Sequence, residues 1–270
     1  MQSSNPVLSR AEAFQPGQAT YSQGYGAPGQ YPAPGQYAPM TPQQPAGVMT
    51  IDDVIAKSAM TMGLLFVVAA ATFMFMPMTL AMPALIATGL LAFVAVLVVA
   101  VRRVVNPAFV LAYAALEGVF VGALSKVVEW GLNMPGIAGQ AVLATFVAAG
   151  VTFAAYKYLR VRVTGKLRKV VTIATIVLAA AYLVNFVVSL FGVRTGMIGW
   201  GPGAGMLAML VSAVAVVLAV LNLIMDFDYI EQGVRNGAPA SESWRAAFGL
   251  TVTMVWLYTE LLRILSYFRN

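Results

Sequence analysis

Four acidic residues lie inside or at the ends of long apolar segments of this 270-residue chain, and these residues are Glu117, Asp226, Asp228 and Glu260. A charged side chain at the centre of a membrane span costs about 2.5–3.5 kcal/mol on insertion scales, so it must face protein or water. Such residues often mark ion or proton pathways. The chain has no histidine and no cysteine, so proton sensing and metal binding would fall to these carboxylates.

Glu117 and Glu260 each have a simpler structural interpretation as well. Glu117 lies beside Gly118 and Gly122, a small-xxx-small ridge that lets a neighbouring helix approach closely. It could therefore be a neutral, hydrogen-bonded packing residue. Glu260 and Arg263 are three residues apart on one helix face, which favours an internal ion pair.

Asp226 and Asp228 end the predicted sixth helix, where both could be solvated. A spacing of two residues points them to different sides of a helix, so at most one faces the bundle interior. Both interpretations, pathway and helix end, stay open for this pair.

The surrounding sequence predicts a polytopic membrane protein. Hydrophobic residues make up 60% of the chain and charged residues 10%, against roughly 25% charged in an ordinary soluble domain. About 20 apolar residues suffice to cross a bilayer. Longer runs without any charge occupy residues 58–101, 130–156, 170–193 and 195–225.

The apolar runs, and the proline, glycine and arginine residues that separate them, predict an all-α fold of seven transmembrane helices within a domain of residues 51–270. The predicted spans are 56–77, 82–101, 107–128, 136–156, 169–192, 204–228 and 245–267. Residues 1–50, rich in Pro, Gly, Gln and Tyr, predict a disordered tail that cannot bury enough apolar surface to fold.

Lysine and arginine predict the orientation of the spans. They cluster in the second loop, with Arg102 and Arg103, and in the fourth loop, at positions between 157 and 169. Such loops are cytoplasmic by the positive-inside rule, which puts the N-terminus in the cytoplasm. The net charge of +6 therefore reflects topology rather than nucleic-acid binding, and the expected partners are the lipid bilayer and other membrane proteins.

The sequence lacks the residues that several classes of membrane enzyme and receptor require. A rhomboid-like protease needs histidine, an aspartyl intramembrane protease needs a Gly-x-Gly-Asp motif, and a retinal protein needs a lysine in its seventh helix. The chain has none of these, and no phosphate-binding or dinucleotide fingerprint follows a strand. We therefore expect neither an enzyme nor a cofactor.

Two motifs carry a resemblance to a known family. Met225-Asp-Phe-Asp-Tyr-Ile and Trp256-Leu-Tyr-Thr-Glu-Leu-Leu-Arg-Ile-Leu resemble the end of the sixth helix and the seventh helix of the Bax inhibitor-1 (transmembrane Bax inhibitor motif) family. The likeness covers residues from about 50 to 268 and is closest to the bacterial branch. It implies a bundle around a central seventh helix in the cell (inner) membrane.

The resemblance also implies a calcium leak gated by two hydrogen-bonded acidic residues, which correspond to Asp226 and Glu260. Two close carboxylates in a low dielectric do not both ionise cheaply, so the pair would hold one proton and act as a pH sensor. Deprotonated, it would bind calcium, with Glu117 and Asp228 extending the path. Arg103 or Arg263 could clamp the pair.

Two departures from the family pattern affect this dyad. The seventh-helix acid is Glu260 where the family has aspartate, and the loop before that helix looks longer than usual. If the seventh span begins at Arg245, Glu260 lies about 22 Å along it and does not reach Asp226. The distance shortens if residues 240–249 form a cytoplasmic start of the helix capped by Ser241.

Three functions follow from these residues. The first is a pH-sensitive calcium or cation leak through the carboxylate pair. The second is a non-conducting membrane regulator of a protease or stress response, because members of the resembled family are linked to such roles. A proton-coupled transporter would use the same carboxylates, but the inverted repeats typical of that class are not evident.

Overall fold

Seven long helices account for nearly all of the described chain. The structure is a computed structural model that describes residues 47–102, 105–159, 163–193 and 195–269. Every helix is long and apolar enough to cross a membrane, which confirms the predicted all-α fold of seven spans. The predicted tail lies outside the described residues apart from positions 47–50. The helices are α1 (Ile51–Phe75), α2 (Met78–Val101), α3 (Pro107–Gly131), α4 (Ile137–Tyr158), α5 (Gly165–Leu190), α6 (Met206–Arg235) and α7 (Glu242–Phe268).

The C-terminal helix α7 lies at the centre of the bundle, as predicted. It packs against α1, α3, α4 and α6. More than half of the span residues of α3 and α7 are buried (56% each), against 6% for α5. Side chains on α7 are thus surrounded by protein, while α2 and α5 present most of their surface outward.

Local chemistry fixes several helix starts. Thr50 caps α1 by accepting a hydrogen bond from the Asp53 amide at 3.1 Å. Asn106 caps α3 in the same way, and Pro107 takes the first helical position, where no N–H is needed. Gly136 precedes α4 with a φ of 80°, a left-handed conformation that favours glycine. The predicted third and fourth spans begin at residues 107 and 136, within one residue of these observed helix starts.

The end of α6 differs from the prediction. The helix does not end near Asp228 but continues to Arg235, because charged and amide side chains form stabilising pairs one turn apart. Gln232 donates to Asp228 at 2.6 Å, and Arg235 pairs with Glu231 at 3.4 Å. The turn to α7 is therefore short, spanning residues 236–241, rather than the long loop expected.

The start of α7 agrees with the earlier of the two predicted positions. The helix begins at Glu242 with Ser241 at its cap position, although the serine side chain makes no capping hydrogen bond. Residues 242–249 therefore extend the helix before Gly249.

Helices α1 and α3 approach each other closely at the two glycines of the predicted ridge. A Cβ atom added to Gly118 would lie 2.7 Å from the backbone oxygen of Leu65, and one added to Gly122 would lie 2.7 Å from Thr72 Cβ. Real Cβ atoms do not approach so closely, so only glycine permits this packing. The predicted small-xxx-small ridge is confirmed.

Helix α5 packs against α6 on the outside of the bundle. Three of its side chains at intervals of seven residues make polar contacts with the rest of the protein. Arg168 bonds Asp228 at 2.7 Å, Thr175 accepts from Asn222 at 2.8 Å, and Tyr182 donates to Glu260 at 3.0 Å. These contacts lie at three depths along one face of α5.

We expect Gly122→Ala to destabilise the folded protein by about 1–3 kcal/mol, because the new methyl group forces α1 and α3 apart. Gly150→Ala on α4 is the matched control, since an added Cβ there meets nothing within 4 Å. The control should be neutral or stabilising by up to about 1 kcal/mol. Thermal unfolding of the purified protein in detergent measures both, and equal effects would contradict the close packing.

Candidate functional site

Asp226 of α6 contacts α7 at Gly249 and Thr253, two residues one helical turn apart. The Thr253 hydroxyl donates a hydrogen bond to Asp226 Oδ2 at 2.6 Å. A Cβ added to Gly249 would lie 3.5 Å from Asp226 Oδ1, an ordinary van der Waals distance, so the carboxylate lies close beside the backbone of α7 at this residue. Thr253 is buried and Asp226 is partly buried. The contact joins a carboxylate of α6 to a hydroxyl of α7 inside the helix bundle.

Glu260 lies in a separate buried cluster. Both of its carboxylate oxygens are 2.9 Å from Arg263 Nη1, and Tyr182 donates to Oε1. Only 1% of Glu260 is exposed. The internal Glu260–Arg263 ion pair favoured by the spacing is confirmed.

Aromatic rings enclose the guanidinium of Arg263. It lies 5.0 Å from the ring centroid of Trp200, in the connection between α5 and α6, and 5.5 Å from that of Tyr182. Such cation–π contacts stabilise a desolvated arginine. Arg263 does not reach the Asp226 contact, and its predicted role as a clamp of the dyad stays a prediction.

The register between α6 and α7 keeps Asp226 and Glu260 at different depths. Ser212 and Tyr267 form a second contact between these helices, at 3.0 Å. Glu260 lies midway between Thr253 and Tyr267 on α7. Thr253 and Glu260 are seven residues apart, a rise of about 10 Å. Each carboxylate has its own partners here, and the dyad with its calcium site stays a prediction.

Glu117 is a buried acidic residue of α3. Its Oε1 accepts a hydrogen bond from the Tyr113 hydroxyl at 2.6 Å, and the residue is 7% exposed. The Tyr113 ring packs against Phe248 of α7, with centroids 4.6 Å apart. Tyr113, the hydrogen-bond partner of Glu117, therefore contacts α7 at the residue before Gly249.

Asp228 points away from α7, as the two-residue spacing predicted. Arg168 of α5 donates to its Oδ2 at 2.7 Å, and Gln232 donates to the same oxygen. A place for Asp228 on an ion path stays a prediction. Arg103 lies outside the described residues.

The residues that complete these clusters were missed by sequence reasoning. Thr253, Gly249 and Tyr182 are ordinary residue types in apolar helices, and none drew attention alone. One signal was available, because Thr253, Glu260 and Tyr267 repeat at intervals of seven and so share a face of α7. Among the described residues, no three acidic side chains lie close enough together to hold a metal ion.

We expect Arg263→Met to destabilise the protein by about 3–5 kcal/mol, because it leaves the Glu260 carboxylate buried without a counter-charge. The double variant Glu260→Gln with Arg263→Met should recover part of that loss. Arg235→Met is the control, since its ion pair with Glu231 is exposed and contributes at most about 1 kcal/mol. Thermal unfolding measures all three, and additive losses in the double variant would contradict a coupled pair.

The family model described as Bax inhibitor 1 like matches residues 5–270, nearly the whole chain. The chain matches none of the curated proteins with which it was compared.

Proposed function

The chain belongs to the Bax inhibitor 1-like family of polytopic membrane proteins, and we propose that it is a pH-sensitive calcium leak gated between α6 and α7. Members of this family are linked to calcium leak. The gate we assign is the contact of Asp226 with Gly249 and Thr253.

The observation that carries the proposal is a polar stripe along the face of α7 that packs against α6. We define it as Thr253, Glu260 and Tyr267, each of which makes a hydrogen bond or ion pair. Ionisable residues inside a span are rare and mark ion or proton paths. A polar stripe at a helix interface is therefore the best-supported route for a cation in the described part of the chain.

Asp226 can couple protonation to the packing of the two helices. An ionised carboxylate in an apolar contact needs water or a counter-charge, and Thr253 supplies only one hydrogen bond. Loss of the proton draws water and a cation into the contact and separates α6 from α7. The neutral acid keeps the helices together, so calcium flux rises as pH rises through the titration of Asp226.

Calcium suits this route because it is a hard cation that binds oxygen ligands. Asp226 and Thr253 offer oxygens at one depth of the α6–α7 interface and Glu260 offers oxygens at a second, while Glu117 is an additional buried acid in α3. Each depth offers calcium only a few protein oxygens as ligands. The ion is therefore bound weakly there and can move on. The pairing of Asp226 with Glu260 would require α6 to move along α7, and we assign the gate without it.

We also propose that the end of the bundle carrying the α2–α3, α4–α5 and α6–α7 connections faces the cytoplasm. We call this the basic end; its lysine and arginine side chains include Arg102, Lys157, Lys166, Arg168 and Lys169. Excess positive charge marks cytoplasmic loops, which supports an N-terminus on the cytoplasmic side of a cell membrane. Asp226 then lies nearer the cytoplasmic side and Glu260 nearer the outer side.

We expect Asp226→Asn to lower calcium flux in proteoliposomes by about tenfold at the pH where the wild type is most active. The amide cannot ionise, so the flux should also lose its pH dependence. Asp228→Asn is the matched control, because Asp228 faces α5 and not α7. Its pH profile should keep the wild-type shape.

Two outcomes would count against this gate. An unchanged pH profile in Asp226→Asn would exclude Asp226 as the sensor. A wild-type protein that passes no calcium at any pH would contradict the leak altogether and would favour the non-conducting regulator.

Thr253→Val should raise the resting flux several-fold, because it removes a hydrogen bond worth about 1 kcal/mol from the closed contact at similar side-chain volume. Thr253→Ser keeps the hydroxyl and should restore most of the wild-type behaviour. Calcium flux at a single low pH, where the wild type is closed, separates the three proteins. Equal flux in the valine and serine variants would show that the hydroxyl does not matter.

A further inference from the structure

A short extended segment before α1 is paired with the turn between α6 and α7. Val48 and Pro239 form an antiparallel bridge. The Met49 amide donates to the Ala238 carbonyl and the Ala240 amide donates to the Gly47 carbonyl, both at 2.7 Å. We call residues 47–50 the strap.

The Met49 side chain anchors the strap under the end of α6. It is only 2% exposed and packs with Val54 of α1 and Ala246 of α7, and Val234 of α6 lies against this cluster. A Cβ added to Gly233 would lie 2.9 Å from the Met49 sulfur, so glycine is what lets the thioether lie against α6. One side chain thus joins α1, α6 and α7.

Lys57 of α1 holds the same turn from the other side. Its ammonium donates to the Ala240 carbonyl at 3.2 Å and to Asp53 at 2.7 Å, and it lies 5.3 Å from the Trp244 ring centroid. The turn between α6 and α7 is therefore bonded both to the strap and to the first turns of α1.

The strap can influence the α6–α7 contact because it is hydrogen-bonded to the turn that connects these two helices. The turn of residues 236–241 connects the part of α6 that bears Asp226 to the part of α7 that bears Gly249 and Thr253. Separating the two helices at this end must carry the turn away from α1. That movement breaks the bridge to the strap and exposes Met49.

We propose that the strap is a regulatory latch that holds the α6–α7 turn against α1 and so keeps the Asp226–Thr253 contact closed. Residues 1–46 immediately precede the strap in the chain. A force applied to that segment is therefore transmitted through the strap to the turn of residues 236–241. The latch itself stands on the contacts of residues 47–50, and only its effect on calcium flux rests on the proposed function.

Hydrogen exchange of the full chain in detergent or nanodiscs tests the latch without measuring flux. In Met49→Ala, the amides of residues 236–253 should exchange at least about tenfold faster, because the anchor is lost. Met60→Ala is the matched control, since that side chain of α1 is 55% exposed. Wild-type exchange in Met49→Ala, or equal acceleration in both variants, would overturn the latch.

A disulfide tests the same idea in the opposite direction. Val48 and Pro239 are a non-hydrogen-bonded antiparallel pair, whose Cα atoms lie about 4.5 Å apart, within disulfide range. The chain has no cysteine, so Val48→Cys with Pro239→Cys creates a single possible bond within the chain. Oxidation should form it, slow the exchange of residues 236–253 and lower calcium flux, and a reductant should reverse all three.

The outcomes of the disulfide experiment separate the two proposals. If the bond does not form under oxidation, or forms without slowing exchange, the latch is wrong. If exchange slows and calcium flux is unchanged, the latch stands and the gate between α6 and α7 is wrong. Oxidised wild-type protein, without cysteine, is the control for both readouts.

Discussion

Polar side chains within the spans must find their partners in the protein, because lipid offers no hydrogen bonds. This constraint organises the centre of the molecule. Thr253, Glu260 and Tyr267 of α7 are bonded to protein side chains, and Glu117 is bonded by Tyr113 of its own helix. Helix α7 is central because its polar face can only be accommodated where other helices surround it.

The same constraint fixes how far α6 is shifted along α7. Asp226 with Thr253 and Ser212 with Tyr267 lie in one antiparallel register, near opposite ends of the interface. Sliding one helix by a turn would break both contacts and leave four polar groups without these partners. A small separation at one end disturbs fewer of them, which is why we assign opening to the end where the turn of residues 236–241 lies.

Much of this structure could be predicted from the sequence because the signals were local. Apolar runs and the proline, glycine and arginine residues between them predicted the seven spans, Asn106 with Pro107 predicted a helix start, and the three-residue spacing predicted the Glu260–Arg263 pair. The partner of Asp226 could not be predicted in this way. It depends on where two helices begin and on their relative shift, which the continuation of α6 to Arg235 and the start of α7 at Glu242 decide together.

Helix α5 is attached to the bundle in a different manner from its neighbours. Little of it is buried, and Arg168, Thr175 and Tyr182 bond the rest of the protein at intervals of seven residues. Packing between smooth apolar surfaces tolerates rotation, whereas these bonds are directional. Turning α5 by a single residue, about 100°, would take all three side chains away from their partners. These contacts therefore fix both the rotation of α5 about its axis and its depth in the bundle, although α5 has the smallest buried share of the seven described helices.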